Sequence, residues 1–265
     1  MKDITLGQYF PGETVIHKLD PRTKIIIMLA YIVITFCIGN FYGYIVLAVF
    51  AALVITLSKI PFKFVIKGLK PILVFILITA LFNLFLTQGE TVWQWGVLKI
   101  TKEGIRFAAF MVLRLTFLII GTSQLTLTTS PISLTDGMEQ LLKPFAKIGL
   151  PAHELSMMMS IALRFIPVLM EETDKIMKAQ SARGADFESG NLISRAKAMI
   201  PILIPLFISA FRRADELATA MECRCYAGGE NRTSLYELKT EPRDYVAGFS
   251  VLLLLGAIII CNVFF

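Results

Sequence analysis

Charge is scarce in this sequence. Asp, Glu, Lys and Arg make up 17% of its 265 residues, where a soluble domain carries about a quarter. Histidine occurs twice and cysteine four times. Cys37 and Cys261 lie in apolar runs, and Cys223 and Cys225 are too close together to staple a fold, which excludes a secreted disulfide scaffold. A zinc site at Cys223-x-Cys225 would need further ligands, and His17 and His153 are both far away in sequence. The phosphate-cradling pattern G-x-x-x-x-G-K-S/T is absent, so the chain is not itself an ATPase. No Ser/His/Asp or metal-hydrolase arrangement is visible, and neither a catalytic residue nor a metal ligand is assigned. What the chain has instead is apolar bulk: 55% hydrophobic residues, 20 Phe and a mean hydropathy of +0.68. This reads as an all-α integral membrane protein and excludes a soluble enzyme or a disordered chain.

The first 24 residues mix acids and bases and do not read as a cleavable signal peptide. From Ile25 to Ser58 there is no charge, a run of 34 residues. One helix of that length would be about 51 Å long, too long for a ~30 Å hydrocarbon core. Gly39-Asn40-Phe41-Tyr42-Gly43 supplies turn chemistry midway, so two short spans are expected, 25–39 and 42–58. A third is expected from Pro71 to Leu86. A fourth should start near Gly104 and end in the polar Thr122–Ser130 run, and the fifth covers Tyr245 to Phe265. The intervening segment has no apolar stretch longer than Met199–Phe211, 13 residues with Pro201 and Pro205 inside, and is expected not to cross. This divides the chain into a membrane domain at 1–129 with about four spans, a cytoplasmic domain at 130–243 and a last span at 244–265.

Basic residues set the expected orientation. The N-terminal segment, the 59–70 stretch and the 130–243 segment hold 22 Lys and Arg, against Lys99 and Lys102 in the opposite loop. By the positive-inside rule the N-terminus and 130–243 face the cytoplasm and the C-terminus lies outside. Lys59, Lys63, Lys67 and Lys70, with no acid among them, suggest an amphipathic basic loop resting on anionic headgroups. Trp93 and Trp95 in the external loop fit an interfacial belt. Arg114, midway along the fourth span, needs either a buried structural contact, with Asn83 a conceivable partner, or a hydrated substrate path.

Segment 130–243 nearly balances its charges, which argues against nucleic acid as a partner. Its apolar periodicity predicts a helix from Pro151 to Ala182, capped by Gly184, and a second from Leu192 to Cys223 bent at its prolines. Each rod would be about 46 Å long. Counted back from Arg183 and Arg224, the two share Asp174 and Asp215 at nine residues and Ala179 and Ala220 at four. At twelve, eleven and eight the signs are opposite: Glu171 and Glu172 against Arg212 and Arg213, and Lys175 against Glu216. Either this is chance similarity between charged helices, or two similar arms cross with these charges specifying the pairing. A cation at a helix C-terminus is favourable in itself, but an arginine fork also suits a carboxylate on a partner. Two rods so ended look like two prongs for a two-fold partner. Met157-Met158-Met159 is either adaptable contact surface or an ordinary buried stripe.

The chain resembles the transmembrane T component of energy-coupling factor (ECF) transporters, ATP-driven importers of vitamins. The resemblance rests on His17-Lys18-Leu19-Asp20-Pro21-Arg22-Thr23-Lys24, Thr128-Thr129-Ser130-Pro131 and Leu163-Arg164-Phe165-Ile166-Pro167. It continues in Ala179-Gln180-Ser181-Ala182-Arg183-Gly184 and Ala220-Met221-Glu222-Cys223-Arg224-Cys225-Tyr226. It covers nearly the whole chain and implies a non-catalytic scaffold with long coupling helices. Two ABC-type ATPase subunits, holding ATP and magnesium themselves, would dock on Ala182-Arg183-Gly184 and Cys223-Arg224-Cys225. An exchangeable substrate-binding S component would meet the coupling helices at the surface of Met157, Met158, Arg164, Pro167, Glu172 and Arg213, residues that would otherwise serve the helix crossing. No cofactor is implied for this chain. Cys223 and Cys225 replace Ala and Gly in the second motif, which leaves that cap's geometry open. The competing classes are a membrane enzyme with a cytoplasmic-face site and a stand-alone secondary transporter. The first needs clustered acids or a nucleophile near the membrane, and the second needs symmetric repeats of spans.

Overall fold

The computed structural model describes residues 9–95, 98–149, 151–187, 191–228 and 238–264. Eight α-helices dominate: α1 (Pro21–Phe36), α2 (Phe41–Ser58), α3 (Phe62–Leu86), α4 (Lys102–Thr128), α5 (Pro131–Leu142), α6 (Ala152–Ala182), α7 (Leu192–Cys223) and α8 (Pro242–Phe264). A short 3₁₀ segment, Lys143–Ile148, follows α5. Between α3 and α4 lies an antiparallel two-stranded hairpin, β1 (Thr91–Trp95) and β2 (Leu98–Thr101), which the sequence pattern does not announce. The chain divides into two compact units, one comprising Leu6–Gly137 and Glu237–Phe265 and the other built on Met138–Tyr236.

Six helices, α2, α3, α4, α6, α7 and α8, are long and apolar enough to cross a membrane by length and composition. That set differs from the five expected spans. At 16 residues, about 24 Å, α1 is short for a ~30 Å hydrocarbon core, whereas α6 and α7, expected to stay out of the bilayer, are long enough. The difference arises because each of α6 and α7 has an 18-residue apolar window holding no more than 2 charges, although neither has an uncharged run of that length. Boundaries also shift. The 59–70 stretch is not a loop: α3 begins at Phe62 and continues through Pro71. α4 ends at Thr128, inside the Thr122–Ser130 run as expected. Thr122, Thr126 and Thr128 donate their hydroxyls to carbonyls one turn back, at Leu118, Thr122 and Gln124, so the polar run stays helical to Thr128. The side chains of Trp93 and Trp95, like Lys2 and Arg232, lie outside the described residues.

In the first unit, α1 buries Met28, Tyr31, Ile34 and, just past its end, Ile38, against Tyr44 and Leu47 of α2 and Val251, Leu254 and Ile258 of α8. Steps of three and four residues place these side chains on one face of α1, and the opposite face, with Ile26, Leu29, Val33 and Phe36 exposed, is apolar as well. Both ends of this bundle are pinned by polar contacts. At one end Asp20 caps α1 by accepting from the Arg22 N–H at 2.8 Å, and the Arg22 guanidinium returns to the same carboxylate at 2.7 Å. The Asp244 carboxylate accepts from the Glu241 N–H, as an N3 acid does in a capping box, and from the Asp20 N–H, both at 2.8 Å. It thereby joins the starts of α8 and α1. Lys24 Nζ donates to the carbonyls of His17 and Thr128, tying in the end of α4. Thr128-Thr129-Ser130-Pro131 turns into α5, where Ser130 Oγ accepts from the Ser133 N–H. Gly137 of α5 sits against the start of α1, where a Cβ would come within 2.9 Å of Pro21.

At the other end of the bundle Asn262 of α8 donates to the Cys37 carbonyl at 2.7 Å and accepts from the Gly39 N–H at 3.1 Å. Arg114 does not pair with Asn83, which instead donates to Thr79. It donates to the Ile38 carbonyl at 3.2 Å and lies over the Phe36 ring. A cation beside the carbonyls that end α1 is favourably placed. This half-buried contact ties α4 to the end of α1.

Candidate functional site: the paired helices α6 and α7

Helix α6 runs 31 residues and α7 runs 32. They pack together within the second unit. Arg213 of α7 lies 3.8 Å from Glu172 of α6. Further on, Gln180 Nε2 donates to the Pro201 carbonyl over a long 3.5 Å. That carbonyl is available because Pro205, four residues on, has no N–H to return to it. Going from residue 172 to 180 on α6 therefore corresponds to going back from 213 to 201 on α7, so the helices are antiparallel where they touch. The two prolines, read in the sequence only as a bend, thus also open an acceptor that Gln180 fills. The spacing of prolines four apart was the available signal.

Arg183 lies eleven residues beyond Glu172, and Arg224 lies eleven beyond Arg213. At 1.5 Å per residue each tip stands about 16 Å past the ion pair, in opposite directions, and the tips are up to about 33 Å apart. The Glu172–Arg213 contact thus sits on an approximate two-fold axis relating the two rods. The two rods meet here through residues of opposite charge.

The caps are equivalent. On α6, the Arg183 N–H donates to Gln180, Gly184 to Ser181 and Ala185 back to Gln180, each at 3.0 Å. On α7, Arg224 donates to Met221 at 3.1 Å, Cys225 to Glu222 at 2.8 Å and Tyr226 to Met221 at 3.0 Å. This is the Schellman pattern at both ends. It requires a left-handed residue after the arginine: Gly184 has φ 89° and Cys225 has φ 56°. Replacing glycine with Cys225 therefore preserves the cap and adds the left-handed penalty of a residue bearing a Cβ.

Ala182, Arg183, Gly184, Cys223, Arg224 and Cys225 are all exposed, and both cysteines are free thiols. Among the described residues neither Arg183 nor Arg224 has a side-chain hydrogen bond or ion pair. The structure does not bring the two arginines together. It holds them at opposite ends of the helix pair, each guanidinium without a partner among the described residues. Met158, Arg164 and Pro167 of α6 are exposed and Met157 is half-buried, so the methionine run is not a buried stripe.

No alternative chemical site competes with these tips among the described residues. There is no group of three or more His, Cys, Asp or Glu arranged to hold a metal ion. A cavity of about 350 Å³ in the first unit, lined by Met28, Tyr31, Phe50, Leu125 and Val251 among others, has Lys24 and Gln124 at its wall and no Asp, Glu, His or Cys.

Membrane-length helices and a paired, arginine-ended rod system with no catalytic constellation among the described residues define a polytopic α-helical membrane protein. Residues 12–235 match the family described as "CbiQ: Cobalt transport protein". Three relatives bear the name "Energy-coupling factor transporter transmembrane protein EcfT". That of Clostridium kluyveri is 62% identical over 256 residues, covering 96% of this chain and 95% of the relative. That of Ruminiclostridium cellulolyticum is 54% identical over 266 residues, covering the whole of both, and that of Bacillus subtilis is 50% identical over 245, covering 92% of each. The chain belongs to this family of transporter transmembrane components.

Proposed function

We propose that this chain is the scaffold and coupling subunit of an ECF-type importer. Two ABC-type ATPase subunits, which bind ATP and magnesium themselves, dock on the Arg183 and Arg224 tips. An exchangeable S component carrying a vitamin or other micronutrient meets the surface of Met157, Met158, Arg164 and Pro167. The N-terminus and the α6–α7 pair face the cytoplasm and the C-terminus lies outside. ATP-driven closure of the ATPases moves the tips, and the paired helices pass that motion to the S component, reorienting it.

The observation that carries this reading is the equivalence of the two tips: the same backbone cap, the same eleven-residue spacing from a shared ion pair, and an unpartnered guanidinium at each. A pair of like subunits presents two like docking sites, and a carboxylate on each would receive the arginine fork through two parallel hydrogen bonds. Desolvating such a pair makes loss of one partner costly. The test is co-purification from membranes: two ATPase chains and a small membrane protein accompany the native chain, and the ATPases are lost from the Arg183→Ala/Arg224→Ala variant. Cysteine labelling that placed 183 and 224 outside the cell, or unaltered ATPase recovery with the double variant, would overturn the proposal.

A further inference from the structure

Helix α3 carries a feature the coupling role does not use. Its first nine residues, Phe62 to Lys70, precede Pro71 and hold three of the four lysines of the 59–70 stretch. At 100° per residue, Lys63, Lys67 and Lys70 fall within about 60° of one another and about 140–160° from Val65. Val65 is 1% exposed and packs on Leu127 of α4. Gly68, on the same side, faces Ser123 of α4 so closely that a Cβ would lie 2.8 Å from its hydroxyl. The lysines therefore project directly away from the protein, and all three are exposed. They take no part in any ion pair or side-chain hydrogen bond among the described residues. Like charges four residues apart on a helix destabilise it, so this ridge carries a cost that an anionic partner would offset.

The same helical face continues past Pro71 as Val74, Leu77 and Leu81, which are 64%, 59% and 52% exposed. In a helix that crosses a membrane these are lipid-facing positions. The lysines and the apolar ridge are thus collinear: three cations at one end and a strip for a hydrocarbon chain immediately beyond. That order of charge and apolar surface complements a lipid with a negative headgroup.

We infer that the Lys63–Lys67–Lys70 ridge, continued by Val74, Leu77 and Leu81, binds an anionic phospholipid in preference to a zwitterionic one. The lysines engage the headgroup phosphate and one acyl chain lies along α3. The site is a discrete position on a helix rather than a loop lying loosely on the bilayer surface.

The experiment uses the full chain in vesicles, with Trp93 and Trp95 replaced by Phe and Val74→Trp as the reporter. Quenching by acyl-brominated phosphatidylglycerol is compared with quenching by brominated phosphatidylcholine at equal mole fraction. Each lysine near an anionic surface is worth about a fivefold preference, so at least a fivefold preference for phosphatidylglycerol is expected. It should fall to about one in the Lys63→Gln/Lys67→Gln/Lys70→Gln variant, persist in the corresponding triple Arg variant, and shrink at high salt as screening demands. Equal quenching by the two lipids in the native-lysine chain overturns the inference, as does a preference that survives both the glutamines and high salt. The salt and arginine arms decide the matter if the glutamine variant fails to insert.

Discussion

Arg183 and Arg224 offer a test in which docking and folding separate cleanly. The cap at each tip is made by backbone hydrogen bonds alone, and neither guanidinium has a partner among the described residues. Truncating either arginine to alanine therefore removes nothing that holds the described structure together, and its stability should change by no more than about 0.5 kcal/mol, as for other exposed positions away from special features. Docking should respond very differently. If each fork meets a partner carboxylate in a desolvated contact, one truncation costs on the order of 2–5 kcal/mol. At 1.4 kcal/mol per tenfold, this is a loss of at least about 30-fold in affinity. Arg→Lys keeps the charge but gives up the two-pronged geometry, so an intermediate loss is expected. The tips stand up to about 33 Å apart by helix length, far beyond the range at which substitutions couple directly, so any departure of the double variant from the sum of the single losses measures how far one ATPase pair grips both ends at once. Binding of the purified ATPase pair to the chain in nanodiscs, read beside thermal unfolding in the same preparation, measures both quantities. Affinity within twofold of native for the double variant, or a parallel collapse of stability, would refute the reasoning.

Three further outcomes are expected. Cys225→Gly should stabilise the α7 cap by about 1 kcal/mol, because the left-handed φ of 56° no longer opposes a Cβ; a lower unfolding midpoint would count against the cap assignment. A charge-swap cycle at Glu172 and Arg213 should return a coupling of about 0.3–1 kcal/mol, as suits a partly exposed pair at 3.8 Å, and zero coupling would remove the pair's role in registering the helices. Burial alone would raise the Asp20 carboxyl, but its hydrogen bonds and ion pair with Arg22 outweigh that and hold it below its ordinary 3.8. The stability it contributes is therefore complete above that value and is lost as pH falls through the lowered one. Asp20→Asn should cost about 1–3 kcal/mol near neutral pH, and its difference from the native chain should vanish in acid; a difference that grows in acid would contradict the assignment.

Much of the helical outline is legible because hydrophobic periodicity and capping residues act locally. Asp20-Pro21 marks the start of α1, and Arg183-Gly184 marks the end of α6, each from a few adjacent residues. The opposite charges at matching positions of α6 and α7 also carry information across the fold. When two similar rods meet about a two-fold axis, the position on the axis faces its own counterpart, and like charges there would repel. Glu172 facing Arg213 is the opposite-sign solution. What is not legible depends on partners distant in sequence. Asp244 reads as a first-turn acid of α8, yet its second oxygen serves Asp20, 224 residues away. The lysine stretch before Pro71 reads as a loop because the sequence shows its charge but not that Val65 and Gly68 rest on α4.

The antiparallel sense of α6 and α7 has a mechanical consequence. Forces applied at opposite ends of two rods that touch near their shared middle form a couple: they turn the rods about the contact, like scissor blades about a rivet, rather than pushing the pair bodily. The rivet here includes an ion pair at 3.8 Å and a long 3.5 Å hydrogen bond, both weak contacts. A motor that pushed the two tips in opposed senses across the rods would thus spend its stroke on changing the angle between two helices, and whatever rests on their exposed faces would feel a twist.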